Sequence, residues 1–254
     1  MAYPNYQNWK STPNAEQPHL SIIIPTYNEE ERIIPTIGAI ASHVSDLGFS
    51  WELIIADDGS NDSTPQLVEE LNFVNLKLLR AKKNGGKGSA VQRGMLSAEG
   101  KFVLFADADN STPIEEVKNL LQKLETAEYD VAVGSRALSE SGESNKSLLR
   151  HVLSGGLRWI VKNIFRIPVR DTQCGFKMYT QEAAQRLHKT QTLMGFSFDL
   201  EILFLATKFG YKVIEVPVSW IDAPGSKVDT RKEVQRFLRD LMKIKINDLR
   251  GRYA

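Results

Sequence analysis

Short apolar runs recur along the chain, separated by stretches in which apolar residues return every three or four positions. Leu20-Ser-Ile-Ile-Ile-Pro25, Trp51-Glu-Leu-Ile-Ile-Ala56, Leu76 to Leu79, Phe102-Val-Leu-Phe-Ala106 and Val131-Ala-Val-Gly-Ser135 are of the first kind. Such runs predict strands buried on both faces, because a parallel strand covered by helices on each side has no polar face to show. Glu29 to Leu47 is of the second kind, with Ile33, Ile34, Ile37, Ile40 and Val44 on one side of a predicted helix. Further helices are predicted from Asp62-Ser-Thr-Pro65, from the glycine-rich loop through Met95, and from Pro113 to Thr126. Strand and helix therefore alternate. The expected fold is α/β, a mostly parallel, doubly wound sheet flanked by helices.

In an open sheet of this kind, ligands bind at the carboxyl ends of the strands. Pro25-Thr-Tyr27-Asn-Glu29 follows the first strand and Asp57-Asp58-Gly-Ser60 the second. Lys82-Lys-Asn-Gly85-Gly86-Lys87-Gly88 follows the third, and Asp107-Ala-Asp109 the fourth. All should gather on one rim. A glycine turn opening a helix offers backbone N–H groups and a lysine to phosphates, although it lacks Walker spacing and also suits a flexible turn. Asp107 and Asp109 suit a divalent cation beside a nucleotide diphosphate, but with Asn110-Ser-Thr-Pro113 they also suit a turn capping the next helix. Asp58 suits either a base or ribose contact or a turn, and Tyr27 either stacking on a base or packing.

The chain has 254 residues, and its hydrophobic content of 42% suffices for a real core. Cys174 is the single cysteine, which excludes an intramolecular disulfide, and it reads as a packing residue. No uncharged apolar run of about eighteen residues occurs, and Met1 to Pro18 is polar. The expectation is a cytoplasmic protein with a flexible N-terminal arm over 1–18 and one domain over 19–254. Net charge is +1 overall but segregated: residues 144–170 hold six basic side chains and no acid, and 227–254 are net +5. This divides the domain into an acidic half, 19–136, and a basic half, 137–254.

Taken in order, the Pro25–Glu29, Asp57–Ser60, Asn84–Gly88 and Asp107–Asp109 motifs resemble those of the family 2 glycosyltransferases. Asp171-Thr-Gln-Cys-Gly-Phe-Lys177 and Gly225-Ser-Lys227 resemble the branch of glucosyltransferases that act on dolichyl and other polyprenyl phosphates. The resemblance spans nearly the whole chain. It implies a glycosyltransferase A fold and inverting transfer of a hexose, glucose from UDP-glucose, to a lipid phosphate acceptor with Mg²⁺ or Mn²⁺ as cofactor. Carried over by position, it places Pro25, Tyr27, Glu29, Asp58, Lys87 and Asp107 at the nucleotide and Asp107 and Asp109 at the metal. Ser111 stands where some relatives carry a metal-contacting Gln, which leaves the third ligand open. Asp199 resembles the acidic residue before the last helix of the fold: a base if the acceptor is a hydroxyl, a positioning group if it is an already ionised phosphate. A dianionic acceptor beside an anionic donor calls for cations, and Arg136, Lys177 and Lys227 are the candidates.

Lys146 to Arg166 carries Leu148, Leu149, Val152, Leu153, Ile160, Val161, Ile164 and Phe165 at helical spacing, with Arg158, Lys162 and Arg166 bordering them. Thr230 to Leu249 repeats the design with Val234, Phe237, Leu238, Leu241 and Met242 beside Arg236, Arg239 and Lys243. Basic amphipathic helices of this type suit the anionic surface of a membrane, giving a peripheral protein on its cytoplasmic face, and equally suit internal packing. No nucleic-acid motif accompanies the basic residues. Alternatives left open are a GDP-mannose donor, a soluble hydroxyl acceptor, and a catalytically silent nucleotide-sugar-binding or membrane-scaffold protein.

Overall fold

The computed structural model describes residues 4–138, 161, 165–221 and 230–253, and of residues 4 and 230–236 the backbone alone. Lys227 and most of Lys146 to Arg166 lie outside the described residues. The expected strands form as β1 (Leu20–Thr26), β2 (Trp51–Asp57), β3 (Leu76–Arg80), β4 (Phe102–Ala106) and β5 (Val131–Ser135). Two more follow, β6 (Phe176–Thr180) and β7 (Val213–Pro217). The sheet has seven strands in the order β3-β2-β1-β4-β6-β5-β7. It is parallel except for β6, which runs antiparallel to both its neighbours, β4 and β5.

Side-chain alternation along each strand splits the core in two. Ile23, Ile54, Val103 and Phe105 face one layer of helices, while Ile22, Ile24, Leu53, Ile55, Leu104 and Ala106 face the other. Both faces of β1, β2 and β4 are therefore dry, which is why their sequences lack a polar alternate. The first layer contains α4 (Lys87–Ser97), α6 (Gln181–Thr190), α7 (Phe198–Lys208) and α8 (Thr230–Leu249). The second contains α2 (Ile33–Ser45), α3 (Thr64–Leu71) and α5 (Val117–Glu125), the last preceded by a 3₁₀ turn over Ile114–Glu116.

The segment expected as a flexible arm is held to the domain instead. Pro4–Ser11 forms α1, and Trp9 is buried with its ring stacked 4.2 Å from that of Trp51. Trp9 Nε1 donates to the Trp51 carbonyl, and Asn75 Nδ2 donates to the carbonyls of Trp9 and Thr12. The polar composition that suggested looseness belongs to the outer side of this helix; one aromatic anchor outweighs it.

The amphipathic helices also depart from a single greasy face. Val161 and Phe165 are buried, with the Phe165 ring edge-on to Phe204 at 5.7 Å, so these two pack inward. On α8, Leu241 and Ile244 are buried against the first layer, whereas Leu238 and Met242 are exposed. Successive residues turn by about 100° on a helix, so positions four apart from 238 and those containing 241 and 244 fall on different sides. Among the described residues, no helix is long and apolar enough to cross a membrane.

His188, on α6, is wholly buried, with Nδ1 2.8 Å from Gln191 Oε1 and its ring edge-on to Tyr179. Burial pushes its pKa from the ordinary 6.5 down to about 4. The unfolded chain takes up this proton first, so stability is lost as pH falls between those two values. Denaturant unfolding should therefore show a loss of about 3 kcal/mol from this site between pH 7 and pH 4, and His188→Gln should flatten that dependence. An unchanged slope in the variant would refute the assignment. Trp9→Ala should lower unfolding free energy by about 3 kcal/mol in the same measurement, whereas a loose arm would give no change.

Candidate functional site

The loops after β1, β2 and β4 meet the start of α4 on one rim, as expected. Asn28 N donates to Ser60 Oγ, Glu29 N donates to Thr64 Oγ1, and Asn61 N donates to Asn28 Oδ1. These bonds lock the first two loops together. Asn28 and Asn110, in the loops after β1 and β4, both take left-handed backbone, which asparagine tolerates better than other side-chain-bearing residues. Pro25 is buried as the penultimate residue of β1, Tyr27 is exposed, and Glu29 is engaged by the Arg32 guanidinium at 2.7 and 3.0 Å. Burial raises the Glu29 pKa against the opposing pull of Arg32.

Asp57 shapes its own turn, its Oδ2 accepting from the N–H groups of Gly59 and Ser60. Asp58 does something the sequence did not suggest. Its Oδ2 accepts from Gly85 N at 3.0 Å and Gly86 N at 2.7 Å, fastening the glycine loop to the second strand. The other oxygen, Oδ1, is buried without a hydrogen bond and lies 3.6 Å from Arg93. Gly86 has φ +97°, and a Cβ there would come within 2.4 Å of the Met194 carbonyl oxygen. The loop thus needs glycine for both conformation and room.

Asp107 and Asp109 stand just past β4. Lys87, the first residue of α4, reaches Asp107 Oδ1 at 2.6 Å. Gly175 backs the same carboxylate so closely that a Cβ would lie 1.9 Å from Oδ2. Asp109 Oδ1 accepts from Ser111 N at 3.0 Å, the turn that sequence alone also allowed. Among the described residues no three His, Cys, Asp or Glu side chains form a metal-holding group. A pair of carboxylates nevertheless suits Mg²⁺ or Mn²⁺, which take one or two carboxylates and complete their shell with water and substrate phosphates.

Lys177 does not lie on a loop. It is the second residue of β6, wholly buried, with Nζ 2.7 Å from Asp199 Oδ1 and 2.5 Å from the Cys174 carbonyl oxygen. A cation so enclosed cannot directly grip an acceptor phosphate. Its Nζ and that of Lys87 lie 5.9 and 5.3 Å from the centroid of one ring, Phe105. Asp199, in the first turn of α7, is buried. Burial raises its pKa, opposed by Lys177 and Lys87. Burial works against the Lys87 charge too, but Asp107, Asp199 and Asp109 outweigh it and raise its pKa. Cys174 is buried and burial pushes its thiol up, consistent with packing rather than nucleophilic chemistry.

Arg136 is held by Asp171 through Nε at 2.7 Å and Nη2 at 2.9 Å, and its guanidinium lies 5.5 Å from the Trp220 ring centroid. Asp107 helps raise its pKa, after the hydrogen bond and charge of Asp171. Sequence reasoning missed Gly175, Arg93 and Asp171 as working parts. Asp171 and Gly175 sit in a motif visible in the sequence, but their partners come from distant strands.

A model of glycosyl transferase family 2 matches residues 21–188. The dolichyl-phosphate beta-glucosyltransferase of Dictyostelium discoideum is 36% identical over 247 residues, covering 92% of this chain and 76% of that protein. Proteins of the same name from Saccharomyces cerevisiae and Homo sapiens are 35% and 32% identical, covering 94% and 91% of this chain and 77% and 76% of their own. Among solved structures, glucosyl-3-phosphoglycerate synthase from Mycobacterium tuberculosis, crystallised with Mn²⁺, UDP-glucose and glycerol 3-phosphate, superposes with a TM-score of 0.67 at 18% identity. That superposition covers 89% of this chain and 80% of that one, and it establishes the glycosyltransferase A fold. The chain belongs to glycosyl transferase family 2 and is a glycosyltransferase resembling the dolichyl-phosphate beta-glucosyltransferases.

Proposed function

We propose that this enzyme transfers glucose from UDP-glucose to the phosphate of a dolichyl or related polyprenyl phosphate, with inversion at the sugar, on a membrane to which it is peripherally attached. The observation that carries the reading is the rim where Asp107, Asp109, Lys87 and the glycine loop converge beside a buried Lys177–Asp199 pair. The choice of sugar and acceptor is supported by the names of relatives that are 32 to 36% identical over nine-tenths of the chain.

In this reading the diphosphate lies over the start of α4, where the N-terminal end of the helix and the Lys87 ammonium offset its charge, the N–H groups of Gly85 and Gly86 being held by Asp58. Asp58, buried with its Oδ1 3.6 Å from Arg93, shapes the base end of the pocket by holding the glycine loop, while Tyr27, Pro25 and Glu29 bound the nucleotide pocket. Asp107 and Asp109 would hold the divalent cation. When bound, it offsets the charge that develops on the departing UDP. An acceptor phosphate oxygen attacks C1 from the opposite side; the new C–O bond forms as the bond to UDP breaks. The phosphate is already ionised, so no base is required. Asp199 is then a positioning residue, fixing Lys177 beneath Phe105 and adding negative charge near Lys87. Arg136, carried on the fifth strand's end, contributes positive charge toward the acceptor.

Incubation with radiolabelled UDP-glucose, a polyprenyl phosphate and Mg²⁺ should move label into the organic phase, and a chelator should stop it. Label that stayed aqueous while UDP was released would sink the lipid acceptor, and turnover indifferent to chelator would sink the metal. Asp109→Ala should reduce transfer by at least about a hundredfold while circular dichroism stays native, since electrostatic groups at such centres contribute on that scale. Gly175→Ala should push the Asp107 carboxylate aside and lower kcat/KM by roughly a hundredfold. Wild-type rates in that variant would show that the position of Asp107 is immaterial.

A further inference from the structure

The basic end of the chain borders an open recess that the transfer reaction does not use. It measures about 410 Å³ and lies between α8 and the segment before α7. Lys243 on α8 lines it together with Arg250 and Arg252, which follow the helix; Ile246 and Asn247 supply its helix wall. Thr192 and Leu193 form the other side. No carboxylate lines it. Lys243 has only a loose contact, 3.6 Å, with Asp240, and Arg252 is bonded to the neutral Asn247 side chain at 3.3 Å. Arg250 has no side-chain partner among the described residues. Three guanidinium or ammonium groups around a recess of ligand size, with the loosely held Asp240 as the one carboxylate paired to any of them among the described residues, form a receptor for a phosphate-bearing group.

Beside the recess lies an apolar stripe that packing does not explain. Leu238, Met242, Ile246 and Leu249 follow one another along the outer side of α8, and Met242 and Leu249 are 62% and 78% exposed. Leu241 and Ile244 anchor the opposite side in the core. A helix fixed by one face, greasy on the other and basic along the border has the layout of a helix lying in a bilayer interface. Ile246 belongs to both features, so an anion in the recess and apolar chains along the stripe would be parts of one molecule.

We infer that this recess is a headgroup site for an anionic phospholipid, with Lys243, Arg250 and Arg252 on the phosphate and the α8 stripe among the acyl chains. It rests on the function proposed above only in placing the enzyme at a membrane. The site also touches the catalytic rim through its far wall. Glu201 accepts from the N–H groups of Thr192 and Leu193 at 2.9 and 2.7 Å, and from the hydroxyls of Thr192 and Tyr253. One residue further, the Met194 carbonyl accepts from Ser89 N in α4, and Gln191 Nε2 donates to the Gly88 carbonyl. A bound headgroup would steady the segment against which Lys87 and the glycine loop are braced.

The test is flotation of the full chain with vesicles of phosphatidylcholine alone or mixed with phosphatidic acid, without donor or acceptor. Lys243→Glu/Arg250→Glu is compared with Arg239→Glu/Lys245→Glu, an equal change of charge at exposed positions of the same helix outside the recess. The wild type should float with the acidic vesicles, and the recess variant should lose at least about tenfold more affinity than the matched one, because a seated cation contributes more than diffuse attraction. Leu249→Ser should weaken binding while leaving the preference for acidic vesicles. Amide hydrogen exchange over residues 191–196 should slow when vesicles are added. Equal losses in the two charge variants would reduce the effect to diffuse attraction and overturn the site, as would a wild type that floats with neither vesicle. If inorganic phosphate at matched ionic strength protects 191–196 as well as vesicles do, the occupant is a free phosphate and the lipid assignment fails. Because no sugar is transferred, a failure of this test and a failure of the proposed reaction are separate results.

Discussion

A carboxylate and an ammonium, both buried and 2.7 Å apart, underlie the centre of this protein: Asp199 and Lys177. Neither charge is tolerable there alone, since removing one partner of such a pair strands the other at a cost of roughly 3–5 kcal/mol. Meeting that constraint requires α7 and β6 to be in register at the end of β4. Strand β6 meets it by running against the parallel strands. Its first residues therefore arrive where β1, β2 and β4 end, with Lys177 opposite Phe105 and Phe176 opposite Ala106. The approach that brings Lys177 in also lays Gly175 on Asp107 and hydrogen-bonds Asp107 N to the Gly175 carbonyl. One reversed strand thus sets both the buried pair and the exposed carboxylate.

The charges alternate from there to the surface. Asp199 faces Lys177 on one side and influences Lys87 on the other, while Lys87 binds Asp107 at the rim. Both ammoniums lie within about 6 Å of the Phe105 ring centroid, at a range where the ring quadrupole attracts each. This arrangement makes Asp199 a poor probe of chemistry: a neutral side chain there leaves Lys177 buried and unpaired, and lost activity would not separate catalysis from folding. Asp109, whose described hydrogen bond is to its own turn, is free of that ambiguity.

The first five strands and the clustering of their loops were legible in the sequence because each strand is dry on both faces and each loop opens with polar or glycine residues. Strands β6 and β7 were not, for a physical reason. Phe-Lys-Met-Tyr-Thr, residues 176–180, carries a lysine in its interior, and a lysine reads as solvent-facing unless its counter-charge is known. That counter-charge, Asp199, is 22 residues away and on a helix. Asp171, which holds Arg136 across a separation of 35 residues, was hidden in the same way. Trp9 was misjudged for the opposite reason: its polar neighbours dominate the local pattern, while its single strong contact is with Trp51, 42 residues on.

The separation of an acidic first half from a basic second half acquires a structural meaning once α8 is in place. The acidic rim loops carry Asp57, Asp58, Asp107 and Asp109, and their charge is balanced by local groups such as Lys87 and Arg93. Among the described residues of α8, Lys243 and Lys245 have only long contacts, with Asp240 at 3.6 Å and Asp248 at 3.8 Å, and Asp248 is held more closely by Lys208 at 2.6 Å. The two regions nonetheless share a wall, the segment from Gln191 to Phe196, whose backbone binds α4 on one side and is fixed through Glu201 and Tyr253 to the end of the chain on the other. A rigid connection of this kind can carry no more coupling than the difference in headgroup affinity between two arrangements of that segment. Glu201 is buried and spends its carboxylate on four donors, which leaves little room for a second arrangement. The recess is therefore better suited to anchoring an already formed rim at a charged surface than to switching it.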